Sequence, residues 1–128
     1  MDHPYATIGT NDPARSRRFY DAVLGTIGWG AHATFGDWTA YSAGGSGAGF
    51  ILWVAVPFDG RAATVGNGTM VGFPARSRAD VDAFHAAALA QGGSDEGTPG
   101  PRDIYGPKWY AAYVRDPSGN KIAVYVNS

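Results

Sequence analysis

The chain has 128 residues, the size of one ordinary domain, and 45% of them are hydrophobic, which excludes a disordered chain. A formal net charge of -1 offers no basic face for nucleic acid, and the lack of cysteine excludes disulfides and thiolate metal sites. The opening "MDHPYATIG" lacks the regions of a signal peptide, and the longest apolar run, "FILWVAV" (Phe50 to Val56), is too short to span a bilayer; a soluble, cytoplasmic protein with no nucleic-acid or membrane partner is expected.

The first element is a short strand at "YATIG", from Tyr5. A helix follows: Asp12 caps it, Pro13 fits its first turn, Phe19, Tyr20, Val23 and Leu24 form one apolar stripe, and Gly25 ends it. Three strands are predicted next, at Ile27–His32, Asp37–Ser42 and Phe50–Pro57. The "GGSGAG" run before the third precedes a strand and not a helix, so it is read as a flexible hairpin loop able to act as a lid, not as a phosphate loop. A second strand–helix unit begins at "MVGFPARSRADVDAFHAAAL". Ser77 and Asp80 form a variant capping box, Val81, Phe84, Ala88 and Leu89 form the stripe, and Gly92 and Gly93 end it. Its three strands are predicted at Glu96–Arg102, Trp109–Arg115 and Lys121–Asn127, the last two joined by the turn "DPSG".

The chain is thus one domain, 1–128, with the order β-α-β-β-β written twice: unit one over about 1–58, a linker over about 59–67, and unit two over about 68–128. An offset of 65 aligns Tyr5 with Met70, Ile8 with Phe73 and Phe19 with Phe84; after the helices an offset of 71 aligns "ILWVAV" with "IAVYVN". The fold class is α+β, with helices on one side of curved sheets.

Three stretches, "TIGTNDPARSRRFYDAVLGTIG", "PFDGRAATVGNGT" and "YAAYVRDPSGNKIAVY", together with the second helix, resemble the vicinal oxygen chelate superfamily: glyoxalase I, extradiol dioxygenases, and bleomycin- and fosfomycin-resistance proteins. The resemblance implies paired βαβββ units around a U-shaped trough, frequent homodimers, and a lyase or dioxygenase chemistry. It also implies a divalent metal held by His or Gln on the first strand of a unit and Glu on its last, acting as a Lewis acid on two adjacent substrate oxygens. At the first-strand positions this chain has Tyr5 and Met70. The closing "G-N-x-I-E" becomes "GNKIA", putting Ala123 at the Glu, and the offset of 71 gives Leu52 as its counterpart. A phenol, a thioether and two hydrocarbons are poor ligands for such an ion, so no metal site and no cofactor is expected.

The residues that remain suit a small-molecule ligand. Alternation puts Lys121, Ala123 and Tyr125 on the trough face, and Tyr5 and Thr7 with them. Eight strand aromatics (Tyr5, Trp38, Tyr41, Trp53, Trp109, Tyr110, Tyr113 and Tyr125) would either stack on a flat ligand or pack the core and a dimer interface, with about half facing the trough. Lys108 and Tyr110 could hold a carboxylate or polarise a carbonyl at the trough mouth, or lie in a solvated loop. Lys121 is either a buried base or a side chain reaching past the strand end into water. The Arg15, Arg17 and Arg18 cluster reads as a solvated face with Arg17 near Asp21. Tyr5, Tyr110 and Lys121 are the groups able to move protons, and Leu52, Met70, Lys108, Trp109, Ala123 and Tyr125 join Thr7 as ligand-lining candidates.

Three functions fit. The first is a metal-free, glyoxalase- or bleomycin-resistance-like homodimer binding an aromatic or apolar molecule. The second is a metal-dependent lyase or dioxygenase with displaced ligands, His3 among them; His32 reads as an exposed strand or loop residue and His85 as partly buried packing. The third is a non-catalytic dimeric assembly module.

Overall fold

The computed structural model describes residues 2–128. In chain order the elements are β1 (Tyr5–Gly9), α1 (Pro13–Gly25), β2 (Trp29–Phe35), β3 (Trp38–Ala43), β4 (Ile51–Ala55), β5 (Val71–Pro74), α2 (Arg78–Ala90), β6 (Ser94–Pro101), a 3-10 turn (Asp103–Tyr105), β7 (Trp109–Arg115) and β8 (Lys121–Asn127). They form two mixed four-stranded sheets, ordered β1-β4-β3-β2 and β5-β8-β7-β6. In each sheet the first strand of a unit runs parallel to its last, and the other pairs are antiparallel. This is the expected βαβββ order, twice.

Both helices start as their sequences dictate. The Asp12 side chain accepts from the Arg15 N–H, and Ser77 accepts from the Asp80 N–H. The Asp80 carboxylate reaches back to the N–H and guanidinium of Arg76, one residue before the cap. Phe19, Tyr20, Val23 and Leu24 of α1 and Val81, Phe84 and Ala88 of α2 fill one core between the helices and the sheets. Leu89, expected on that stripe, is 43% exposed; His85 is buried in its place and hydrogen-bonds Asp95 at 2.8 Å.

Four strand predictions, β2, β3, β4 and β6, shift at their ends by one to three residues, β2 the most. β2 begins two residues late because Ile27 stays in the turn after α1, where its N–H donates to the Leu24 carbonyl. The strand then runs to Phe35 through a bulge between Ala31 and Ala33. That bulge half-buries His32, whose Nδ1 lies 2.8 Å from the Ser42 hydroxyl; the expected exposed residue is a structural one. The glycine loop after β3 is no lid. Gly44 N–H donates to the Gly28 carbonyl and Gly47 N–H to the Ser42 hydroxyl, fastening it to the rim of its own sheet.

The two units are joined at a buried carboxylate. Asp116 accepts from the Tyr20 hydroxyl at 2.6 Å, from the N–H groups of Ser118 and Asn120, and from the Asn120 amide. The same amide nitrogen donates to the Gly9 carbonyl at 2.7 Å, crossing from unit two to unit one. Burial, and next the Asp116 charge, push the Tyr20 phenol well above its ordinary range, so it remains a donor. Asp116→Ala would orphan these donors and is expected to lower stability by about 3 kcal/mol, against about 1 kcal/mol for Tyr20→Phe, measured by urea denaturation.

Candidate functional site: two aromatic troughs

Which face each side chain takes follows from pairing, since directly opposed residues share a face. In the second sheet Tyr110 pairs with Val126, Ala112 with Val124 and Val114 with Ile122; these face the helices. Trp109, Ala111, Tyr113 and Arg115 pair with Asn127, Tyr125, Ala123 and Lys121 on the opposite, open face. In the first sheet Ala6 pairs with Leu52 and Ile8 with Val54 on the core side, leaving Tyr5, Thr7 and Trp53 on the open side.

Each open face is a trough. The first is a cleft of about 860 Å³ whose floor is Tyr5, Thr7, Trp38 and Trp53, with Phe35 and Phe58 at its edge. Phe35 stacks on Trp53 at 5.9 Å, and Trp38 meets Trp53 at 6.4 Å. One wall is the inter-unit connection, through Pro57, Asp59, Ala62, Ala63 and Thr64. Asn11 holds that wall by a two-way bond to the backbone of Ala63, at 2.7 and 3.1 Å. Gly9 makes room for it, since a Cβ there would stand 2.7 Å from that of Ala63. The stretch read from sequence as a linker therefore supplies one wall of the first trough.

The second trough, about 620 Å³, is lined by Met70, Glu96, Gly97, Arg102, Ile104, Tyr105, Trp109, Tyr113 and Lys121. Trp109 lies flat on Tyr125, 4.5 Å between rings and 8° from parallel, and meets Tyr105 edge-on. Glu96 is paired with Arg115 at 2.9 Å.

The expected site residues divide between these surfaces. Tyr5 and Thr7 line the first trough; Met70, Trp109 and Lys121 line the second, with Ala123 and Tyr125 on the same face. Three expectations fail. Leu52 is fully buried in the core. Tyr110 faces the helices, donates to the Asp82 carboxylate at 2.7 Å and carries Arg78 over its ring; that hydrogen bond, more than its slight burial, raises its pKa. Lys108 is exposed in the turn before β7 and lines neither trough. Tyr5, Tyr110 and Lys121 thus stand on three different surfaces and form no joint catalytic group. Of the eight aromatics, only Tyr41 and Tyr110 turn away from the open faces; Tyr41 is buried and donates to Asp21, which also pairs with Arg17. His3 precedes β1 and is not among the residues lining the first trough.

Leu52 fails for a definable reason. Ile8 pairs with Val54, and Phe73, its equivalent at offset 65, pairs with Val124. The last strands therefore correspond at an offset of 70, not 71, and Trp53, not Leu52, stands where Ala123 does in unit two. The four positions that the resemblance assigns to metal ligands hold Tyr5, Trp53, Met70 and Ala123. Phenol, indole, thioether and methyl do not fit a divalent ion, and among the described residues no three His, Cys, Asp or Glu side chains gather to hold one.

Duplicated βαβββ units, each with an open concave sheet, define a glyoxalase-like fold. The family model of the Glyoxalase/Bleomycin resistance protein/Dioxygenase superfamily matches residues 3–124, and the chain belongs to that superfamily. A glyoxalase/bleomycin resistance protein from Albidiferax ferrireducens is 42% identical, with a TM-score of 0.85 over 97% of both chains. A glyoxalase-related enzyme from Fulvimarina pelagi is 22% identical, with a TM-score of 0.74 over 97% of this chain and 86% of that one. A lactoylglutathione lyase from Agrobacterium tumefaciens is 20% identical, with a TM-score of 0.65 over 96% and 91%. No curated protein matches the sequence. No helix among the described residues is long and apolar enough to cross a membrane.

The face assignment is testable by stability. Leu52→Ala should cost about 3 kcal/mol through its core cavity, and Trp53→Ala about 1 kcal/mol, both by urea denaturation. The ligand positions are testable by gain of function: Met70→His/Ala123→Glu places two donors on one trough face, and its melting temperature should rise with added Zn²⁺ or Ni²⁺ while that of the parent protein does not move.

Proposed function

We propose that this protein is a cytoplasmic, metal-free member of its superfamily that binds a small planar organic molecule in its aromatic troughs. The observation that carries this reading is the ring and apolar character of Tyr5, Trp53, Met70 and Ala123, the positions that the resemblance assigns to metal ligands. Concave clefts lined by aromatic rings, with a few polar groups, favour flat apolar ligands. Without a Lewis acid, and with Tyr5 and Lys121 in separate troughs, binding rather than turnover is the activity that these residues support.

Homodimerisation belongs to the same proposal. Tyr5 is 67%, Phe35 69% and Ile104 86% exposed, all around the troughs. Contiguous exposed apolar surface of this kind is what a second copy would cover. A dimeric module without a ligand remains the competing reading, and a binding measurement separates the two.

Titration with neutral cinnamamide, followed by tryptophan fluorescence and calorimetry, is the direct test. Saturable binding is expected, weakened about fivefold by Trp109→Ala or by Trp53→Ala, since loss of a stacking ring costs roughly 1 kcal/mol. No saturable binding of this amide or of related planar molecules, with a stable dimer still formed, would favour the assembly module.

A further inference from the structure

The two troughs differ in charge although their backbones are near-duplicates. Among the described residues no Lys or Arg lines the first, and Asp59 is its one acid. The second carries Arg102 and Lys121, and its single acid, Glu96, is already engaged by Arg115. The Arg102 guanidinium and the Lys121 ammonium each stand 5.6 Å from the centre of the Tyr113 ring. Two cations held around one ring repel each other, and neither has a carboxylate partner among the described residues.

This arrangement is built into the strand beside it. Arg102 is fixed by donating to the carbonyls of Thr98, Gly100 and Pro101, at 2.7, 3.0 and 3.3 Å. Gly97 leaves room for both partners: a Cβ there would come 2.8 Å from Tyr113 and 3.3 Å from Arg102. The three carbonyls hold Arg102 in place and occupy much of its donor capacity, while Lys121 makes no hydrogen bond and no ion pair among the described residues. One free ammonium and one oriented guanidinium lining the same trough give it the charge to receive a monoanion. In the same trough the Trp109 indole N–H is buried with no acceptor among the described residues. A buried unpaired donor is costly.

We infer that the second trough selects a planar organic carboxylate, its flat body against Trp109 and Tyr113 and its carboxylate on the Lys121 ammonium, with Arg102 adding positive charge to the same lining. The inference rests on the proposed small-molecule function and adds the charge of the ligand to it.

Calorimetric titration with cinnamate and with cinnamamide, which share shape and differ in charge, separates the two claims. Cinnamate should bind about tenfold or more tighter than the amide, since a hydrogen bond to a charged group is worth about that factor or more. The preference should shrink as salt rises. Lys121→Met should abolish it and Lys121→Arg should keep it, with thermal melts showing that each variant is folded. Equal binding of acid and amide by the parent protein would overturn the inference and leave the proposed function standing. Binding of neither would remove both. An undiminished preference in folded Lys121→Met would also overturn it, by taking the carboxylate away from Lys121.

Discussion

The structure depends on one buried carboxylate. Asp116 begins the turn before β8, and its oxygens gather the Tyr20 hydroxyl of α1, two backbone N–H groups of its own turn and the Asn120 amide. Asn120 then bonds the end of β1. A buried charge is tolerable only when its oxygens are satisfied, so this network specifies the turn rather than merely decorating it. The turn in turn fixes where β8 starts. A strand that started one residue later would exchange Lys121, Ala123 and Tyr125 for Ile122, Val124 and Val126 on the open face. The composition of the second trough thus follows from a hydrogen-bond cluster lying outside it.

The same logic explains how one fold supports two unlike troughs. Helix stripes and inward strand residues must match in both units, because they fill one shared core. The outward residues carry no such constraint. In unit one they are Tyr5, Thr7 and Trp53, walled by the connection between units; in unit two they are Met70, Trp109, Tyr113 and Lys121, beside Arg102. The repeat preserves the packing face and leaves the other free to differ in side-chain chemistry. Fold alone therefore says little about function here, and the side chains on the open faces carry the argument.

Much of this was legible in the sequence. β7 and β8 were placed to the residue, because alternating small, apolar and aromatic side chains between a loop and a tight turn leave one register. Both N-caps were readable from Asp12 and Ser77. The offset across the last strands was not. Both faces of "ILWVA" are apolar, so a slip of one residue still aligns hydrocarbon with hydrocarbon, and only the pairing of Ile8 with Val54 resolves it. Tyr110 misled for a similar reason: its ring suits either face, and its partner Asp82 lies on a helix far away in sequence. The strand "SDEGTPGP" is expected late, at Glu96–Arg102 rather than Ser94–Pro101, because its glycines and prolines blur the strand pattern while serving bulges and the close approach of Arg102 and Tyr113. Nothing local marks residues 57–64 as a trough wall, since Asn11 holds them across a long sequence separation.

The central claim is that the superfamily's metal chemistry has been replaced by aromatic binding surface. Elemental analysis of the purified protein tests it most directly, after preparation in medium containing Zn²⁺, Ni²⁺, Mn²⁺ and Fe²⁺ and without chelators. The account predicts no divalent metal approaching stoichiometry with the chain. A tightly held ion in stoichiometric amount would contradict it, and would mean that ligands outside these four positions, His3 first among them, build a metal centre.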